Sequence, residues 1–133
     1  MARSTKRYRP AALIAAALAL PAHATSVACH LTYGGETRVV GARPTTAPET
    51  VAPVAIGSYF LFRIVFRQEP ADLAGIKLTT YADRDEGPTI IHQASHPYPP
   101  PAAAVHGFSG LNFVYEPVRD GELQYWCEVK EKP

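Results

Sequence analysis

The stretch "SYFLFRIVFR" at residues 58–67 decides the fold of this chain. Successive side chains of a β-strand point to opposite faces, so every second residue shares a face. One face of this stretch carries Phe60, Phe62, Ile64 and Phe66, and the other carries Tyr59, Leu61, Arg63, Val65 and Arg67. Because burial of four large apolar side chains is strongly favourable, the first face is predicted to form the centre of a hydrophobic core.

The same alternation continues in both directions from this strand. In "VACHLTY" at 27–33, Val27, Cys29 and Leu31 share one face, and Gly34-Gly35 then supplies the positive backbone angles of a tight hairpin. Further alternating stretches are "ETRVVGA" at 36–42, "IKLTTYA" at 76–82, "TIIHQA" at 89–94, "LNFVYEPV" at 111–118 and "ELQYWCEVK" at 122–130. No segment beyond residue 24 keeps a helical period, which predicts an all-β protein: one antiparallel β-sandwich domain of about seven strands.

The last of these stretches carries a short resemblance to a known family. In "DGELQYWC" at 120–127, Tyr125 precedes Cys127 by two residues, as in one strand of immunoglobulin domains, which this stretch resembles. The resemblance covers eight residues, and the chain departs from the family because no tryptophan follows the first cysteine. It implies an immunoglobulin-like sandwich architecture and no particular function.

Residues 1–24 have the composition of a secretory signal peptide. Four basic residues and no acid precede the apolar run "AALIAAALAL" at 11–20, and "AHA" at 22–24 offers small residues for cleavage after Ala24. Ten apolar residues are too few to cross a bilayer, which takes about 20. The domain is therefore predicted to comprise residues 25–133, located in the periplasm or secreted. Two alternatives are cleavage after Ala22, which would free the amine of His23 for copper, and lipidation of Cys29 in "SVAC".

The charge of the domain excludes one class of partner. Residues 1–24 hold four of the 13 basic residues and none of the 12 acidic ones, so residues 25–133 carry a net charge of −3. Phosphate backbones and anionic membrane surfaces attract clusters of basic residues. The composition thus argues against a nucleic acid or an anionic membrane as the partner.

The two cysteines, Cys29 and Cys127, are predicted to form a disulfide. They are the only cysteines of the chain and stand near opposite ends of the domain. An exported protein with two cysteines normally pairs them, and the wide separation is unlike the close spacing of redox-active pairs. A disulfide would also remove both thiols from catalysis and from metal binding.

Four histidines are candidate metal ligands: His30, His92, His96 and His106. His92 and His96 share a face of a predicted strand, but four residues of strand separate their Cα atoms by about 13 Å, too far to chelate one ion without a bend. The proline-rich loop at 97–104 could hold such a bend or serve as a stiff spacer. Imidazole ligands without methionine or a free thiol favour zinc, nickel or copper(II). The alternative is that these histidines are polar surface residues of a strand and a loop and bind no metal.

Other chemistries find weaker support in the sequence. Asp83, Asp85 and Glu86 supply oxygen ligands, but no glutamate completes the spacing of a calcium loop, so they are predicted to form a solvated hairpin turn. His106 and Ser109 lie three residues apart without the motif of a hydrolase nucleophile. A small hydrolase is therefore the least favoured alternative.

Binding through surface aromatic residues is the favoured function. Tyr59, Tyr81 and Trp126 alternate with core positions, and Tyr98 lies in the proline-rich loop. Exposed aromatic residues are enriched at recognition surfaces, and a proline-rich segment loses little entropy on binding. The alternative is that Tyr59 and Trp126 are covered within the sandwich. The segment at 43–53, with three prolines, is predicted to be a surface linker. The sequence thus predicts a non-enzymatic binding or accessory protein of a bacterial-type cell envelope without a cofactor, and the alternative is a periplasmic metal-binding protein.

Overall fold

A computed structural model describes residues 24–101 and 105–132, together with the short pieces 4–5 and 10–11. Most of the predicted signal peptide and residues 102–104 of the proline-rich loop lie outside the described residues. The strands are β1 (Ala24–Tyr33), β2 (Glu36–Ala42), β3 (Val54–Ile56), β4 (Phe60–Arg67), β5 (Gly75–Arg84), β6 (Gly87–Pro97), β7 (Asn112–Glu116) and β8 (Gly121–Lys132). Single turns of 3-10 helix occur at Pro48–Thr50 and Ala71–Leu73. Within this part of the chain, no helix has the length and hydropathy needed to cross a membrane.

The strands form two antiparallel sheets of four strands. Sheet A has the order β2-β1-β8-β7, and sheet B has the order β3-β4-β5-β6. Strands that follow each other along the chain are paired within each sheet, and the pairing of β1 with β8 joins the two ends of the domain. The predicted all-β sandwich is confirmed, with eight strands instead of about seven. The additional strand, β3, has only three residues, which is too short to give an alternating pattern.

The core lies between the sheets and contains the predicted side chains. Phe60, Phe62 and Phe66 of β4 are fully buried, as are Leu31 of β1 and Tyr125 of β8. The hairpin at Gly34-Gly35 also forms as predicted, with positive φ angles of 61° and 81°. Alternation therefore predicted correctly which side of these strands faces inward.

In β7 the face with the larger apolar side chains is exposed, which the alternating pattern alone did not indicate. Leu111, Phe113 and Tyr115 share a face as the pattern indicates, but that face is exposed, whereas Val114 and Glu116 are buried. Phe113 pairs with Gln124 of β8, whose neighbours Leu123 and Tyr125 face the core. The register with β8 thus turns the larger apolar side chains of β7 outward.

Glu116 is a buried carboxylate that joins the two sheets at one end of the sandwich. It accepts hydrogen bonds from the Arg84 guanidinium at 3.0 Å and from the Arg119 N–H at 2.8 Å. Burial alone raises the pKa of Glu116, but the hydrogen bonds from Arg84, Arg119 and Val118 outweigh it and hold the pKa below its usual value. The buried charge is therefore fully compensated by its neighbours.

The predicted disulfide between Cys29 and Cys127 is present. The two residues face each other directly in the pairing of β1 with β8, with their Cα atoms 4.0 Å apart, and the bond closes a separation of 98 residues. In immunoglobulin domains the bridge connects the two sheets. Here it connects neighbouring strands of one sheet, so the bridge departs from the immunoglobulin arrangement.

Candidate functional site

His92 and His96 lie on the same side of β6, as their equal parity predicted, and the structure shows that this side faces sheet A. His92 Nε2 is 2.8 Å from the hydroxyl of Tyr125, which is fully buried in β8, so this hydrogen bond links the two sheets. The His96 ring lies edge-on to Phe108, with centroids 5.1 Å apart. Each imidazole therefore contacts a different aromatic ring, and His96 Nε2 is buried without a hydrogen-bond partner among the described residues.

This environment favours the neutral form of both rings. Burial lowers the pKa of His92 and of His96 below the ordinary value of 6.5. Burial also raises the pKa of Tyr125 to about 12, so its phenol keeps its proton throughout the physiological range. Both imidazoles are consequently uncharged at neutral pH.

The lowered pKa values predict that the fold loses stability in weak acid. The unfolded chain binds protons on these histidines as the pH falls through 6.5, whereas the folded chain resists until a lower pH, so acid favours unfolding. We expect the Tm to fall by several degrees between pH 7.5 and pH 5.5, measured by circular dichroism. In the double variant His92→Gln, His96→Gln this decrease should shrink. An unchanged decrease in the double variant would contradict the assignment.

The outer side of sheet A carries a row of aromatic side chains. Val39, His30 and Trp126 are direct cross-strand partners on β2, β1 and β8. The His30 and Trp126 rings are stacked, with centroids 4.0 Å apart and planes 5° from parallel. His106 lies edge-on to Trp126 at 6.0 Å, so two imidazoles flank the one tryptophan of the chain.

A second row lies two residues farther along each strand, on the same side of sheet A. Thr37, Thr32, Gln124 and Phe113 are cross-strand partners across all four strands, and Tyr115 pairs with Glu122 beyond them. Val39, Phe113 and Tyr115 are 55%, 57% and 54% exposed. Neighbouring strands are about 4.8 Å apart, so the rows span roughly 14 Å of sheet. We call the surface formed by His30, Val39, Phe113, Tyr115 and Trp126 the aromatic face.

The loop at 105–110 holds His106 against this face. Gly107 has a φ of +59°, and a Cβ there would come within 2.0 Å of the Cys127 carbonyl oxygen, so the loop approaches β8 more closely than any side chain would permit. The Phe108 N–H donates to the same carbonyl at 3.0 Å. The Ser109 hydroxyl accepts from the Cys127 N–H at 2.7 Å and donates to the Gly110 carbonyl at 2.8 Å. Ser109 thus fastens the loop to the strand.

The structure divides the four predicted metal ligands into two pairs. His30 and His106 flank Trp126 outside sheet A, whereas His92 and His96 lie between the sheets. His30 Nε2 is already hydrogen-bonded to Glu128 at 2.7 Å. In the described ranges, no three histidine, cysteine or acidic residues are grouped as metal ligands. Asp83, Asp85 and Glu86 lie at the β5–β6 hairpin, where all three are exposed.

The four aromatic residues predicted for recognition occupy four separate places. Trp126 belongs to the aromatic face, and Tyr81 lies on the outer side of sheet B, paired with Ile90. Tyr59 lies beneath the Arg119 guanidinium at 4.3 Å. Tyr98 packs on Phe66 at 4.8 Å, and its hydroxyl accepts from Gln68 at 3.2 Å. The exposed apolar residues on the same side of sheet A as Trp126 are instead Val39, Phe113 and Tyr115, none of which the sequence pattern predicted for recognition.

The linker at 43–53 crosses from sheet A to sheet B and is anchored at both ends. The Thr45 N–H donates to the Phe66 carbonyl at 2.8 Å. The Arg63 guanidinium donates to the carbonyls of Pro48 and Val51 at 2.5 and 2.8 Å. None of the linker residues is fully buried.

Comparison of the chain with models of protein families, with curated proteins and with solved structures found no match in any of the three. What this protein binds therefore has to follow from the chemistry of its own surface.

Proposed function

We propose that the protein is an exported, non-enzymatic binding protein of the cell envelope that captures a protein partner through the aromatic face. The observation that carries the proposal is the exposure of Val39, Phe113 and Tyr115 on the same side of one sheet, next to Trp126. Contiguous exposed apolar surface marks interaction sites, and aromatic residues are enriched where protein surfaces meet. The predicted signal peptide and the disulfide support a periplasmic or secreted location.

The charges around the aromatic face define the chemistry of the partner. Glu122 and Glu128 lie on the outer side of β8, and Asp120 accepts a hydrogen bond from the Tyr115 hydroxyl. The two lysines of β8, Lys130 and Lys132, stand at the end of the strand farthest from Asp120 and Glu122. A lysine or arginine gains from both carboxylates and aromatic rings. The partner is accordingly a protein segment in which basic residues alternate with apolar ones.

A catalytic role has less support from the geometry. The hydroxyl of Ser109, three residues after His106, is engaged with the backbone of Cys127 and Gly110. A serine nucleophile needs a neighbouring base that can accept its proton. The His92 ring is bonded to a buried tyrosine and is not directed toward a serine.

The proposal predicts that the protein binds a cationic amphipathic peptide in preference to an acidic one. The probe is a synthetic ten-residue peptide of alternating lysine and leucine, and its control is the same peptide with glutamate in place of lysine. Binding is read from the fluorescence of Trp126, which is the only tryptophan and lies within the proposed surface. We expect a saturable change with the lysine peptide and none with the glutamate peptide.

Matched variants separate this surface from the rest of the molecule. Phe113→Ala and Tyr115→Ala should each lower the affinity for the lysine peptide about tenfold, as expected for central aromatic residues of an interface. Ile90→Ala removes a side chain of equal exposure, 56%, from the outer side of sheet B and should change the affinity less than twofold. Equal effects of all three variants, or equal binding of both peptides, would refute the proposal.

The same fluorescence titration addresses the metal alternative, because His30 and His106 both contact Trp126. Zinc, nickel or copper(II) bound there would change the emission at one equivalent of metal. If that change disappeared in both His30→Ala and His106→Ala while neither peptide bound, metal binding would replace protein binding as the function.

A further inference from the structure

A groove of about 360 Å³ crosses the outer side of sheet B, opposite the aromatic face. Its floor is formed by β4, β5 and β6, where Val65, Lys77 and Ser95 are cross-strand partners. Pro48 and Leu73, from the two connections with 3-10 turns, line the groove as well. The volume lies in the range of small-molecule sites.

The groove is cationic. Arg63, Arg67 and Lys77 line it, and no aspartate or glutamate does. None of the three forms a salt bridge with any residue that the structure describes. Arg63 is used in part to hold the linker, through the carbonyls of Pro48 and Val51. The charges of Arg67 and Lys77 have no such partner among the described acids.

One polar nitrogen of the groove, Nε of Arg67, is buried without a hydrogen-bond partner in the described part of the chain. A buried donor that lacks an acceptor is unfavourable, so most such groups in folded proteins are paired. This donor lies in the same groove as the ammonium of Lys77, which forms no salt bridge with a described acid, and the combination indicates that a ligand supplies the acceptors.

A second, larger groove lacks this combination. It has a volume of about 600 Å³ near the start of β1 and contains one cation, Arg43. No unpaired buried nitrogen is found among its lining residues. Size alone therefore does not distinguish the two grooves, whereas charge and unpaired donors do.

We propose that the groove on sheet B binds a small organic anion, a carboxylate or a phosphate attached to an apolar group. The guanidinium of Arg67 and the ammonium of Lys77 contact the anionic oxygens, because charged donors form the strongest hydrogen bonds to such oxygens. Val65 and Leu73 contact the apolar part. Gly75, the direct partner of Arg67 on β5, also lines the groove.

Titration of the whole protein with phenyl phosphate, benzoate, inorganic phosphate and benzyl alcohol tests the proposal and distinguishes the anion. Binding is followed by calorimetry and by the NMR signal of the Arg67 Nε–H group. We expect at least one of the two aromatic anions to bind at least about tenfold more tightly than inorganic phosphate or benzyl alcohol, because only they provide both charge and apolar surface. The Arg67 Nε–H signal should move as the anion binds.

Arg67→Gln and Lys77→Gln should each lower the affinity for the aromatic anion about tenfold, since each removes one charged contact. Lys130→Gln makes the same charge change on sheet A and should leave the affinity within about twofold. The Tm of each variant, measured in parallel, shows that the fold is intact. No binding of either aromatic anion at 10 mM, on the order of the weakest site that would count as specific, would overturn the proposal. Equal affinities in the three variants would overturn it as well. Neither result depends on the aromatic face, so the two proposals stand or fall separately.

Discussion

Reduction of the Cys29–Cys127 disulfide is expected to lower the free energy of unfolding by about 4 to 5 kcal/mol. The bond joins residues 98 positions apart in sequence. Such a crosslink stabilises the fold mainly because it lowers the conformational entropy of the unfolded chain. Domains of this size have a total stability of about 5 to 15 kcal/mol. Loss of the bond would therefore remove a large fraction of it, and the Tm should fall by more than about 15 °C.

Thermal unfolding with and without a reducing agent measures this effect, together with titration of free thiols. The oxidised protein should show no reactive thiol in its native state, and the reduced protein should show two. The double variant Cys29→Ala, Cys127→Ala should behave like the reduced protein, with a further loss from the two buried sulfur atoms. Equal Tm values for the oxidised and reduced proteins would show that the bond contributes nothing to the fold.

Substituting Phe62 by alanine is expected to destabilise the protein by about 3 to 5 kcal/mol. Phe62 is fully buried at the centre of β4, and its ring lies 5.0 Å from that of Tyr125 in the opposite sheet. Removing the ring leaves a cavity between the sheets that the surrounding strands cannot fill without moving. Urea denaturation of the parent and variant proteins gives the difference in unfolding free energy.

Phe113→Ala is the matched control for this substitution. It makes the same chemical change in the same type of element, but the ring is 57% exposed on the outer side of β7. We expect a loss of only about 0.5 kcal/mol. A loss for Phe113→Ala as large as that for Phe62→Ala would mean that β7 faces the core with its other side and that the aromatic face is buried.

Much of the fold could be read from the chain before its structure was known. The alternation of Phe60, Phe62, Ile64 and Phe66 predicted a buried strand, and Gly34-Gly35 predicted a hairpin, because both features depend only on neighbouring residues. β3 escaped detection because it has three residues. The sequence did not predict that Phe113 of β7 faces solvent, because alternation alone identifies two faces without indicating which one is buried.

The candidate surfaces were less accessible to sequence reasoning. His92, His96 and His106 lie close together along the chain, but strand spacing allowed them to share a metal site only if the chain bent between them. The structure places His106 beside Trp126, and His30 reaches the same ring from a strand that is far away in sequence. The groove on sheet B could not be foreseen, because Arg67, Lys77 and Ser95 come from three strands whose order the sequence does not state.

The amino-acid sequence by itself determined the β-strands, the inner side of most of them and the pairing of the two cysteines. These features follow from side-chain alternation, turn residues and the count of thiols, which are local or compositional properties. Only the tertiary structure decided which residues share the aromatic face and the cationic groove. Those assemblies depend on strand order and register, which arise from the joint packing of two sheets and bring together residues that no local pattern connects.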